Sequence, residues 1–215
     1  MILICTKEDI KMENFLELSG LKLTPCPGEM QIYIANSKVL KDEVMLFKCN
    51  ESIVQCKVGI KWSLDNYKQI NSSIFIGLID PINSSILKNQ IVIPSDLFNI
   101  NQTELEWGRG MISSSIKIKS SQQKIIRYSV YKSNLDFSYG RIVSLNNNNY
   151  SKYIIEELKS LNKFDGINNL CFTINETLTS YEIDTYNILI GDPKEYLSSK
   201  KIQLKALFKN LILDY

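Results

Sequence analysis

The sequence predicts a mainly β fold: an antiparallel β-sandwich or jelly roll with a short N-terminal helix and two helices in the C-terminal third. Three observations carry that expectation. Apolar residues recur with period two through much of residues 30–145, the pattern of strands with one buried face. Eight such runs follow one another at roughly twelve-residue spacing with no helical segment among them, which argues against βαβ units. Helical periodicity is confined to the two ends of the chain.

In order, the apolar run Ile2-Leu3-Ile4 is followed by Thr6, a residue suited to cap a short helix. Ile10, Phe15, Leu16 and Leu18 form that helix's apolar face and Gly20 ends it. The turn residues of TPCPGE, 24–29, then break the chain. MQIYIA, EVMLFKC, IVQCKVGIKWSL, SSIFIGLID, QIVIP, SSSIKIKS, KIIRYSVYK and GRIVSL read as strands. The clearest alternation sets Val54, Cys56, Val58, Ile60 and Trp62 on one face, with Gln55, Lys57, Gly59 and Lys61 on the other. NNNNY, 146–150, reads as a loop. Ser151 then caps a helix with Ile154, Ile155, Leu158 and Leu161 as its apolar face, ended by Gly166. NLCFTI and YNILI are two further strand candidates. Asp192-Pro193-Lys194-Glu195 has the form of a capping box, opening a last helix through Leu197, Leu204, Phe208 and Leu211. No linker divides the chain, so 1–215 reads as one domain: a β-rich core over 30–145 with a mixed part, 151–215, packed on it.

Composition narrows the chemistry. With 215 residues, 44 % of them apolar, a sizeable core is expected. The 25 basic and 23 acidic side chains leave a charge of +2, so bulk electrostatics give no reason for nucleic-acid or membrane binding, and any such site is local. There is no His, which removes the common neutral-pH base and every Ser-His or Cys-His dyad. Five scattered cysteines without a C-x-x-C give no metal motif and no disulfide framework. MILIC has no basic stretch before it and is too short to span a bilayer, so a soluble, cytosolic chain with no transmembrane segment is expected. Neither a cofactor nor a metal is expected.

Charge is nonetheless uneven. Residues 111–141 carry Lys117, Lys119, Lys124, Arg127, Lys132 and Arg141 against Asp136, a local balance of +5. With Tyr128, Tyr131 and Tyr139 as stacking faces, this segment is the candidate surface for single-stranded nucleic acid. The bland alternative is a strand whose Lys117 and Lys119 are simply its solvated face. An enzyme reading rests on Asp65, Asp80, Asp96, Glu104 and Glu106, carboxylates for acid–base or metal work without a recognisable spacing.

Leu78-Ile79-Asp80 closes an apolar strand, and Gly140 follows Asp80 with 59 residues between. This Leu-x-Asp…Gly arrangement in a β-rich region resembles the signature of the 30K superfamily of plant-virus movement proteins. The resemblance implies a jelly roll that binds single-stranded nucleic acid, self-associates or joins other protein subunits, contacts membranes peripherally and catalyses nothing, in a host cell's cytoplasm. A capsid or penton subunit in a virion is the alternative on the same fold. A carboxylate-based, metal-dependent enzyme is the alternative from another class. Under the first reading Leu78, Asp80 and Gly140 are structural, and Asp80 accepts hydrogen bonds from the turn that Pro81 begins.

Overall fold

The computed structural model describes all residues except 8–9, 29, 51, 83–89, 102–111, 146–150, 192–196, 198 and 212–215. The described strands are β1 (Ile2–Lys7), β2 (Leu18–Leu23), β3 (Gln31–Ser37), β4 (Asp42–Cys49), β5 (Ser72–Leu78), β6 (Asp80–Pro81), β7 (Ile91–Ile100), β8 (Ile112–Lys117), β9 (Phe137–Leu145), β10 (Gly166–Ile167) and β11 (Asp184–Ile190). The helices are α1 (Glu13–Leu16), α2 (Ile53–Asn66), α3 (Ser120–Lys132), α4 (Lys152–Leu161), α5 (Cys171–Thr179) and α6 (Lys201–Asn210).

All the strands belong to one sheet of order β2-β3-β4-β1-β5-β11-β7-β9-β10-β6, with β8 paired to β7 off that path. Strands β4, β1, β5 and β11 run parallel, as do β7, β9 and β10. Helices cover both faces. Ile4, Ile74 and Ile188 point toward α1, α3 and α6, whereas Leu3, Phe75 and Leu189 point toward α2 and α5. A third cluster joins α4 to β9 through Leu145, Ile154 and Leu158. Parallel strands covered on both sides bury every residue, which is why Ile2-Leu3-Ile4-Cys5 and Ile74-Phe75-Ile76 are continuous apolar runs.

This α/β architecture corrects the antiparallel sandwich or jelly roll expected from the sequence. Three of the expected strands are helices. In α2, Cys56, Ile60 and Leu64 recur every four residues and are buried, while Val54 and Val58 are 72 % and 46 % exposed. The nine-residue alternation fits period two by coincidence, because every second residue there is apolar whichever face packs. Ser52 settles the outcome locally: its hydroxyl accepts from the Gln55 N–H at 3.3 Å and caps the helix. KIIRYSVYK lies in α3, whose buried residues Gln122, Ile126, Ser129 and Val130 have helical spacing. NLCFTI enters α5. Of the expected N-terminal helix only the four-residue α1 forms: Thr6 belongs to β1, Leu18 opens β2, and Gly20 lies inside β2 at φ +67°, next to a register shift, instead of ending a helix. The predicted helix after Ser151 forms as α4, but Asn162 in left-handed conformation ends it, and Gly166 opens β10. NNNNY and the Asp192 capping box lie outside the described residues.

Candidate functional site

In α/β sheets, open or closed, ligands bind beyond the carboxyl ends of parallel strands. Here that place is the end of β5. Strand β1 accompanies β5 only from Ser72 to Ile76. The chain continues through Ile79, whose N–H donates to Ile190 C=O at 3.0 Å, into β6, and β6 pairs with β10. The path β5-β11-β7-β9-β10-β6 therefore starts and ends on one continuous segment, and this part of the sheet closes on itself. Between the last β1 pairing at Ile76 and the first β10 pairing at Asp80, the Leu78 carbonyl accepts from a side chain, Asn168 Nδ2, at 2.6 Å.

Asn168 and its neighbours build the site. The Asn168 Oδ1 accepts from the N–H groups of Leu170 (3.1 Å) and Cys171 (2.8 Å), so one side chain caps α5 and ties it to β5. Ser144 donates to the Asn168 carbonyl at 2.5 Å and accepts from the Phe172 N–H at 3.3 Å. Asn169 Oδ1 accepts from the Leu145 N–H at 2.9 Å. Two glycines permit these approaches. A Cβ on Gly77 would stand 2.7 Å from Asn168 Nδ2, and one on Gly166 would stand 2.3 Å from Ile79 Cδ1. Behind them, Asn175 and Asn187 are buried and exchange amide hydrogen bonds of 2.8 and 3.0 Å. Cys171 lies against this pair, and burial pushes its thiol well above the ordinary range, so it is not a nucleophile in this state. These amide and hydroxyl groups satisfy one another and the backbone, so the cluster braces the carboxyl end of β5 against α5 and β9.

The charged residues singled out in the sequence lie elsewhere. Lys117 is exposed on β8. Lys119 pairs with Asp184 at 2.5 Å and Arg141 with Asp165 at 3.2 Å, which spends their charge locally. Lys124, Arg127, Tyr128, Tyr131 and Lys132 share the exposed side of α3. Asp65 accepts from the Tyr181 hydroxyl at 3.1 Å and Asp96 from Ser95 at 2.8 Å. Glu104 and Glu106 lie outside the described residues, and among the described residues no group of three could hold a metal. Leu78 and Asp80 do flank the split, whereas Gly140 is buried in β9 opposite Pro94. Asn168, Asn169 and Ser144 were not foreseen. The signal the sequence carries is Asn-Asn just ahead of an apolar run, a helix-start pattern in a stretch whose apolar residues also fit a strand.

The cavities among the described residues include two that Asn168 does not line. One of about 10 Å³ is apolar, lies between the ends of β5 and β11 and helices α1 and α6, and is too small for a ligand. The other, about 120 Å³, is at the amino end of β11 and includes Lys117, Lys119, Gln122, Glu182 and Asp184.

No protein-family model matches the chain, and no curated protein matches it in sequence. Solved structures do match its fold over almost their whole length. The 5'-methylthioadenosine/S-adenosyl homocysteine nucleosidase (MTAN) of Campylobacter jejuni superposes with a TM-score of 0.80 at 12 % identity, covering 97 % of each chain. A futalosine hydrolase mutant of Helicobacter pylori gives 0.76 at 15 % identity, over 96 % of this chain and 95 % of that one. An H. pylori MTAN with one aspartate changed to asparagine, carrying 5'-methylthioadenosine in its active site, gives 0.73 at 15 %, over the same shares. At such identities the likeness is one of fold. It overturns the resemblance to movement proteins and the capsid alternative, because the fold is that of nucleosidase structures and not of a viral jelly roll. It also removes the ground for expecting a protein without catalysis, since the structures named are enzymes.

Proposed function

We propose that this chain is a nucleoside hydrolase, cleaving the N-glycosidic bond of a purine nucleoside that carries a 5'-substituent. The observation that carries the reading is the agreement in fold with nucleosidases over 95 % or more of each chain.

The reaction sets clear demands. Water adds to the anomeric carbon and gives up a proton to a general base, the bond to the base nitrogen breaks with its electron pair going to the nucleobase, and a general acid delivers a proton to the departing nucleobase. The positive charge that develops on the sugar makes the transition state resemble that of glycoside hydrolysis, where carboxyl groups do the acid and base work. In a chain without His, carboxyl groups are the first candidates for that work. Asp80 stands in β6 at the split. Asp192 follows Ile190, the end of β11, by two residues in the sequence and lies outside the described residues. These two acids are the ones to replace.

The test is release of free base from 5'-methylthioadenosine, S-adenosylhomocysteine and futalosine, followed by chromatography. The reading expects turnover of at least one of them, reduced on the order of a hundredfold or more by Asp192→Asn or Asp80→Asn if that acid supplies the proton. It also expects the substrate that is cleaved to raise the melting temperature. Failure of all three to react and to stabilise the protein would reject it.

A further inference from the structure

Helices α3 and α6 lie side by side: Ser129 Oγ donates to the Asn210 carbonyl at 2.9 Å, and Asn210 Nδ2 donates to Ser133 Oγ at 3.0 Å. Their inward stripes, Ile126 and Val130 on one and Leu204, Leu207 and Phe208 on the other, are already buried in the core. The outward stripes are therefore not needed for packing. They carry Lys124, Arg127 and Lys132 on α3 and Lys201, Lys205 and Lys209 on α6, and neither helix contains an acid. Lys205 is paired with Glu17, and the exposed Asp136 follows α3. The other five cations are in no ion pair among the described residues. Among these charges stand Tyr128 (51 % exposed), Tyr131 (73 %) and Ile202 (83 %).

We propose that this two-helix face binds an anionic lipid surface peripherally. Clustered Lys and Arg are drawn to anionic head groups, Tyr settles at the head-group level, and an aliphatic side chain inserts just below it. Single-stranded nucleic acid would use the cations and the tyrosine rings equally well. Ile202 decides between them: it is the most exposed of the large apolar side chains, offers no ring to a base, and suits the acyl boundary of a bilayer. No helix among the described residues is long and apolar enough to cross a membrane, so contact by these helices is superficial. The inference is independent of the proposed catalysis, because these helix faces are distinct from the end of β5.

The experiment is sedimentation of the intact chain with vesicles of phosphatidylcholine and phosphatidylserine in equal parts, against pure phosphatidylcholine, at low and high salt. Binding to the anionic vesicles alone, weakened by salt, is expected. The triple variant Lys124→Gln, Arg127→Gln, Lys132→Gln lowers partitioning roughly a hundredfold, from about one kcal/mol per cation near the surface. Ile202→Ser with Tyr131→Ser also lowers it, which a purely electrostatic attraction would not show. No binding, equal binding to both vesicles, unchanged binding of either variant, or capture of a single-stranded oligonucleotide in place of vesicles would overturn the proposal.

Discussion

Gly77 has no side chain where one would displace Asn168. An added Cβ falls 2.7 Å from the Asn168 amide and 2.7 Å from the Phe75 ring, so Gly77→Ala must displace both or move the strand itself. The expected cost is about 1–3 kcal/mol, from crowding together with a weakened bond to the Leu78 carbonyl, and urea unfolding measures it. Asn187 makes a sharper case. It is fully buried and shares two amide hydrogen bonds with Asn175, so Asn187→Leu leaves a buried amide without its partner. A loss of about 1–3 kcal/mol is expected, part of which the double variant with Asn175→Leu recovers, because removing both partners removes the unpaired group. Asp80, which the sequence marks as a turn acceptor, is exposed, so the buried setting that would make its removal costly is absent. At this scale the sequence marks Leu78 and Asp80, which the structure sets on either side of Ile79 where β5 passes into β6, but it does not mark the asparagines. An asparagine becomes a brace only once another strand end is brought against it.

Helix α2 shows how an element can be misread. Over Val54–Trp62 the apolar residues satisfy a strand's period, and the decision rests on which of them are buried. The helix buries Cys56 and Ile60 and leaves Val54 and Val58 in solvent, whereas a strand would bury all four together. Val54→Lys and Val58→Lys should therefore each change stability by less than about 0.5 kcal/mol in denaturant titrations. Ile60→Lys should leave too little stability for a cooperative transition, because it buries a charge. Equal damage at Val54 and Ile60 would restore the strand. Gly59 adds a constraint that no periodicity reveals, since a Cβ there would lie 2.4 Å from the Phe47 ring of β4. Strands β3, β4, β5 and β11 were legible because their apolar runs match their paired lengths. Helices α3 and α5 were not, because short β-branched and aromatic runs also read as strand.

For the whole molecule, pH reports how tightly the core is closed. Burial raises the pKa of the Cys49 and Cys171 thiols above their ordinary range, with the neighbouring Cys5 and Cys56 adding to the effect at Cys49. A group whose folded pKa is raised holds its proton more firmly in the native state than in the unfolded chain. Its contribution is complete below the unfolded value and is lost as pH rises toward the folded one. The urea midpoint should thus fall as pH climbs above the ordinary thiol range, and Cys171→Ala should flatten that fall. By itself the sequence determined which segments are apolar, where many strands run, that no His is available, and that basic residues gather in 111–141. Only the tertiary structure decided that β1, β5 and β11 run parallel, that the sheet closes through β10, and that α2, α3 and α5 are helices. The reason is physical: local periodicity reports which side chains avoid water. Strand direction, partner and closure depend on contacts between distant residues, such as Asn168 with Leu78.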